Sequence, residues 1–166
     1  MKIGVPKEVK NHEYRVGLTP ASVREVCDNG HQVYVETTAG EGIGFADQAY
    51  RDAGAEILPD MTAVFDKAEM IVTVKEPLEK ALSLLKEGQI LFSYLHLAPD
   101  LKQTQGLIKS KCVASAYETV THAHGGLPLL SPMSEVAGRM SIQAGTHCLE
   151  KANGGRGTLL SGVPGV

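Results

Sequence analysis

Apolar, β-branched runs alternate with amphipathic stretches along the first two-thirds of the chain, a pattern that predicts βαβ units around a mainly parallel, doubly wound α/β sheet. Six strands are predicted, at 3–5, 32–36, 55–57, 70–74, 90–93 and 112–116. The third is the weakest, because it is short and lies between Gly54 and Pro59. Five helices fill the gaps. Thr19-Pro20 opens the first as N-cap and first helical residue, and Asn29-Gly30, which tolerate a left-handed cap, close it. Asp47, Asp60 and Asp100 are expected to cap later helices in the same way.

After Tyr117 the pattern changes. Residues 121–126 form a polar, glycine-containing loop, and Leu127-Pro128-Leu129-Leu130 is an extended apolar linker. Ser131-Pro132 followed by Glu135 is a helix start, and Val136, Met140 and Ala144 at i, i+4 spacing carry that helix to about residue 152. Asn153-Gly154-Gly155-Arg156-Gly157 ends it, and residues 158–160 read as the beginning of another strand. An apolar stretch there needs more chain to cover it. The expectation is therefore a first domain over 1–130, then an inter-domain helix and the opening of a truncated second domain over 131–166.

In a doubly wound sheet, ligands bind at the carboxyl ends of the strands, near the point where the strand order reverses. The loops there carry Lys7-Glu8-Val9-Lys10-Asn11-His12-Glu13-Tyr14-Arg15 after strand one, Lys75-Glu76-Pro77 after strand four, Tyr94-Leu95-His96 after strand five and Tyr117-Glu118 after strand six. Two cations and an imidazole thus converge on one crevice. Arginine offers a planar fork to a carboxylate, lysine a point charge to a carbonyl oxygen, and histidine titrates near neutrality. That set suits a small 2-oxo acid. Taken singly, each has a plainer explanation: Arg15 a solvated charge, Lys75-Glu76 an ion pair closing a strand, His96 a half-buried histidine. Gly40-x-Gly42-x-Gly44 has Phe45 where a third phosphate-loop glycine would stand, and reads as a flexible surface turn. His122-Ala123-His124 lacks a cysteine or carboxylate at metal spacing, so no metal is expected.

Composition narrows the classes. With 43% hydrophobic and 21% charged residues over 166 positions, the chain is an ordinary globular sequence large enough for one sizeable core. Sixteen Lys+Arg against nineteen Asp+Glu give a net charge of -3 without a basic stripe, which argues against nucleic-acid binding. No signal-peptide core and no membrane-length apolar run is found, so no membrane partner is expected and the cytoplasm is the expected location. Cys27, Cys112 and Cys148 are expected to be reduced and mostly buried.

Met1-Lys2-Ile3-Gly4-Val5-Pro6-Lys7-Glu8, Arg15-Val16-Gly17-Leu18-Thr19-Pro20, Val74-Lys75-Glu76-Pro77, Tyr94-Leu95-His96-Leu97-Ala98, Tyr117-Glu118-Thr119 and Pro132-Met133-Ser134-Glu135-Val136-Ala137-Gly138-Arg139 together resemble the L-alanine dehydrogenases. The resemblance spans the whole chain in family order. It implies a flavodoxin-like substrate lobe, completed by a returning C-terminal segment, beside a Rossmann NAD lobe most of which is absent from this sequence. It also implies that Arg15 and Lys75 hold pyruvate or L-alanine, that His96 is the acid/base, and that Ser134 touches NAD. The implied activity is reversible oxidation of L-alanine to pyruvate and ammonia in a cytoplasmic homo-oligomer, commonly a hexamer; the 166 residues alone are expected to be inactive. Two alternatives accompany it. The NAD-binding subunit of a proton-translocating transhydrogenase shares the fold and the opening motif but needs no 2-oxo-acid site. A non-catalytic lobe that binds a small acid or a partner is the other.

Overall fold

The computed structural model describes residues 1–165. They divide into two compact units, Met1–Thr119 and the chain from Val120 onward.

The first unit carries six parallel strands: β1 (Lys2–Val5), β2 (Gln32–Glu36), β3 (Glu56–Leu58), β4 (Met70–Val72), β5 (Ile90–Ser93) and β6 (Val113–Ala116). Their order across the sheet is β3-β2-β1-β4-β5-β6. Without β3, the short edge strand, the remaining five follow the flavodoxin-like order 2-1-3-4-5, and with or without it the order reverses between β1 and β4. Apolar runs such as Val33-Tyr34-Val35 are buried on both faces, as expected when helices cover both sides of a parallel sheet.

Helices α1 (Pro20–Asp28) and α2 (Asp47–Asp52) close one core, in which Val23, Tyr50 and Ala53 meet Val5, Val33 and Val35. Helices α3 (Met61–Lys67), α4 (Glu79–Leu84) and α5 (Leu101–Ser110) close the other, where Phe65, Leu85 and Leu107 meet Ile71, Leu91 and Leu95. Caps set the starts of three helices: Thr19, Asp60 and Asp100 each accept the backbone N–H of the residue three positions on. Asp47 departs from its expected role. It is the first residue of α2, and its carboxylate accepts Thr37 Oγ1–H at 2.7 Å and Thr38 N–H at 2.8 Å, tying the end of β2 down instead of capping a helix.

Gly17 shows how tightly the long loop 6–19 is held against the sheet. A Cβ at this position would stand 2.4 Å from the carbonyl oxygen of Val72, a backbone atom at the end of β4 that cannot swing away. Gly17→Ala should therefore cost about 2–3 kcal/mol, because loop and strand end must part. The thermal midpoint of the variant checks this; an unchanged midpoint contradicts the close contact. The Gly40-Gly42-Gly44 segment is a surface turn, as expected, but two of its glycines are closely packed. Residues Glu41–Ile43 form a 3-10 turn, and Cβ atoms at Gly40 and Gly42 would lie 2.6 Å from the Tyr50 ring and from the Tyr14 carbonyl oxygen. Gly40 and Gly42 thus serve packing, while Gly44, with φ of 83° and open space around it, ends the turn in a left-handed conformation.

In the second unit α6 spans Ser131–Leu149. It opens at Ser131-Pro132 as expected, with Leu130 in the N-cap position and the Ser131 hydroxyl donating to Leu127 O at 3.0 Å. The helix stops before 152, and a 3-10 turn, Lys151–Asn153, follows. Residues 158–160 are not a strand, since a lone strand has no ladder partner among the described residues. No helix among the described residues is long and apolar enough to cross a membrane. Contrary to expectation none of the cysteines is buried: Cys27 and Cys112 are half-buried and Cys148 is exposed.

Candidate active site

The loops after β1 and β4 flank the strand-order reversal, and they carry Arg15 and Lys75. Loop 6–19 is laced to its neighbours by carboxylates. Glu36, at the end of β2, accepts the N–H of Lys7 at 2.8 Å. Glu8 accepts the N–H of Val74 at 2.6 Å and of Lys75 at 3.3 Å, and Lys10 pairs with Glu76. Lys75 is gripped from its other side too, because the buried Ser93 hydroxyl on β5 donates to its carbonyl oxygen at 2.9 Å. Burial pushes the Glu8 carboxyl upward, opposed by the two N–H groups it accepts and then by the Arg15 charge.

Arg15 is organised by Glu13, whose carboxylate accepts the Arg15 backbone N–H at 3.0 Å, Nε–H at 2.8 Å and Nη2–H at 2.6 Å. The Glu13 side chain is only 8% exposed against 42% for Arg15, so the carboxylate is the buried member of the pair. Hydrogen bonding to Arg15 holds the Glu13 carboxyl below its usual range, with a further contribution from the charge of Lys75. Arg15 in turn feels the charge of Glu8. Arg15, Lys75, Glu8 and Glu13 are thus one electrostatic cluster.

The sign of its pH dependence follows. A carboxyl lowered in the folded state adds stability that is present above its unfolded value and is lost as pH falls through its folded value. Glu13→Gln should lower the thermal midpoint at neutral pH, and the gap from the parent protein should close on acidification below the ordinary carboxylate range. A gap that persists in acid contradicts the ion-pair account.

His96 follows β5 on the next loop. Its neighbour Leu95 is 1% exposed, with its carbonyl oxygen accepting Gln103 Nε2–H at 2.8 Å. The His96 ring is at the surface, and its backbone has a left-handed φ of 46°, a conformation that costs a non-glycine residue about 1–3 kcal/mol. Glu118 opposes this strain by accepting the N–H of His96 at 2.7 Å and of Leu95 at 3.1 Å, charge-assisted bonds worth roughly 1.5–3 kcal/mol. Beside it Tyr117 stacks edge-on to Phe92 and Tyr94, with centroids 4.2 and 4.8 Å away, and burial raises its phenol.

Sequence reasoning therefore located the loops but missed the side chains that hold them: Glu8, Glu13, Ser93, Gln103 and Glu118. Glu8, Glu13 and Glu118 lie in the strand-end loops already singled out. Ser93 closes β5 and Gln103 lies in the first turn of α5, and neither carries a pattern of its own. Ser134, the expected cofactor contact, is in the first turn of α6, where its hydroxyl lies 3.4 Å from Leu130 O. The rings of His122 and His124 are 5.8 Å apart, and no group of three metal-type ligands is found among the described residues. A cleft of about 720 Å³ between α4 and α5 touches Lys10 and Glu76 but is not lined by Arg15, Lys75 or His96, so its size does not make it the reactive site.

Residues 4–137 match the sequence profile described as alanine dehydrogenase/PNT, N-terminal domain. An alanine dehydrogenase of Halomonas elongata is 56% identical over 166 residues, which is 100% of this chain and 45% of that protein. One from Methanococcus maripaludis is 58% identical over the same length, 44% of its own. A solved L-alanine dehydrogenase structure superposes with a TM-score of 0.89 at 52% identity, covering 100% of this chain and 46% of its own. A transhydrogenase from Sinorhizobium meliloti matches 71% of this chain at 24% identity with a TM-score of 0.67, a likeness of fold alone. The chain spans less than half the length of the curated relatives it matches.

Proposed function

The chain belongs to the alanine dehydrogenase/PNT family through its N-terminal domain, and from that premise we propose that it is the substrate-holding part of an NAD-dependent alanine dehydrogenase. The proposed reaction is L-alanine, NAD and water giving pyruvate, ammonia and NADH, reversibly. The observation that carries this reading is the placement of Arg15, Lys75 and His96 on three carboxyl-end loops, two of them flanking the strand-order reversal.

Each residue has a role its chemistry supports. Arg15, oriented by Glu13, anchors the carboxylate through its planar guanidinium. Lys75, with its backbone fixed by Glu8 and Ser93, stabilises negative charge on the carbonyl oxygen. His96 gives and takes protons as the carbinolamine and imine form and break down. A dinucleotide finds little here. Gly40 and Gly42 are packed against Tyr50 and Tyr14, so their loop does not open a cradle for phosphates, and no G-x-G-x-x-G stands elsewhere in the sequence. Ser134 offers one hydroxyl toward NAD, the greater part of whose site lies outside these residues.

The three free thiols support a reducing, cytoplasmic setting. Val136, Met140 and Ile142, each about half exposed on α6, support a homo-oligomer assembled partly through this helix. Calorimetric titration with pyruvate tests the reading: saturable binding at millimolar concentrations or below is expected. No binding in that range favours a non-catalytic lobe.

A further inference from the structure

We propose that Glu118 is a positioning residue for His96, fixing the left-handed backbone from which the imidazole leaves the chain. The inference rests on the reading of His96 as the acid/base. Among the described residues four that are not glycine have positive φ: His12, Thr38, His96 and Lys111. Lys111 is explained as the cap that ends α5. Thr38 is held by a carboxylate, its N–H donated to Asp47 at 2.8 Å. The same device recurs at His96, where Glu118 Oε1 accepts its N–H at 2.7 Å and shares that of Leu95 at 3.1 Å, with Oε2 at 3.3 Å from the latter.

The brace is itself anchored. Glu118 lies on the 3-10 turn Tyr117–Thr119 that ends β6, the strand paired with β5 up to Ser93 and Ala116. Tyr117 packs on Phe92 and Tyr94, so the turn moves with the strand that delivers His96. The Leu95 carbonyl is fixed separately by Gln103. With Leu95 buried and both its backbone groups bonded, the φ of His96 decides the direction of its side chain, and Glu118 is the side chain that holds that φ.

Glu118→Ala removes the acceptor and Glu118→Gln keeps one. In the full-length enzyme Glu118→Ala should lower kcat by roughly 100-fold with the pyruvate KM within about threefold, and Glu118→Gln should recover kcat to within about tenfold of the parent. Glu118→Ala with kcat within about threefold of the parent overturns the proposal. If the alanine variant does not fold, the unaltered chain decides: amide protons of Leu95 and His96 should shift in step with the Glu118 side-chain carboxyl carbon during an NMR acid titration, and independent movement overturns it. His96→Ala separates the two claims. Lost turnover there beside normal turnover in Glu118→Ala removes only the positioning role, whereas normal turnover in His96→Ala removes both.

Discussion

His96→Ala in the full-length enzyme is expected to lower turnover by roughly 10²–10⁴-fold, the range for losing a positioned acid/base, while pyruvate affinity changes by less than about threefold. The split follows from where the groups sit. The ring of His96 is at the surface at the end of β5, whereas the charged cluster that would bind the carboxylate is built on the loops after β1 and β4. Removing the imidazole leaves Arg15, Glu13 and Lys75 as they are. Steady-state kinetics of pyruvate reduction at saturating ammonia and NADH measures both quantities. Near-normal kcat would sink the assignment, and a large rise in KM with kcat intact would move His96 into the binding group.

Arg15→Ala should do the opposite, weakening pyruvate binding by about 10–100-fold, which corresponds to roughly 1.5–3 kcal/mol for a hydrogen-bonded charge. Arg15→Lys should recover little of this. Lysine cannot reproduce the fork that engages Glu13 through Nε and Nη2, and it presents a point charge instead of a planar pair of donors. Arg15→Ala also leaves Glu13, 8% exposed, beside the site without its cationic partner, which adds repulsion toward an incoming carboxylate. Calorimetry of the variants with pyruvate gives the constants directly. An unchanged affinity in Arg15→Ala would show that the clamp lies elsewhere.

The strands were legible because apolar periodicity is a local signal. The second and fifth coincide with their predicted ranges, and the weak third is present at the sheet edge. Caps were legible where a single side chain serves its own helix, as at Thr19, Asp60 and Asp100. Asp47 was misread because competing partners decided the outcome: Thr37 and Thr38 take its carboxylate. The loops bearing Arg15, Lys75 and His96 were found from the parallel-strand rule alone. The carboxylates that arrange them were not, because Glu8 reaches Val74 and Glu118 reaches His96 across sequence gaps that no spacing rule spans.

The central claim is that the crevice at the ends of β1, β4 and β5 holds a small 2-oxo acid. Amide NMR of the 166-residue chain titrated with pyruvate tests it most directly. The account predicts saturable shifts concentrated at Arg15, Lys75 and His96 and at the amides that Glu8 and Glu118 hold, with α4 and α5 undisturbed. Shifts centred instead on the cleft between α4 and α5, or none at millimolar pyruvate, would contradict it.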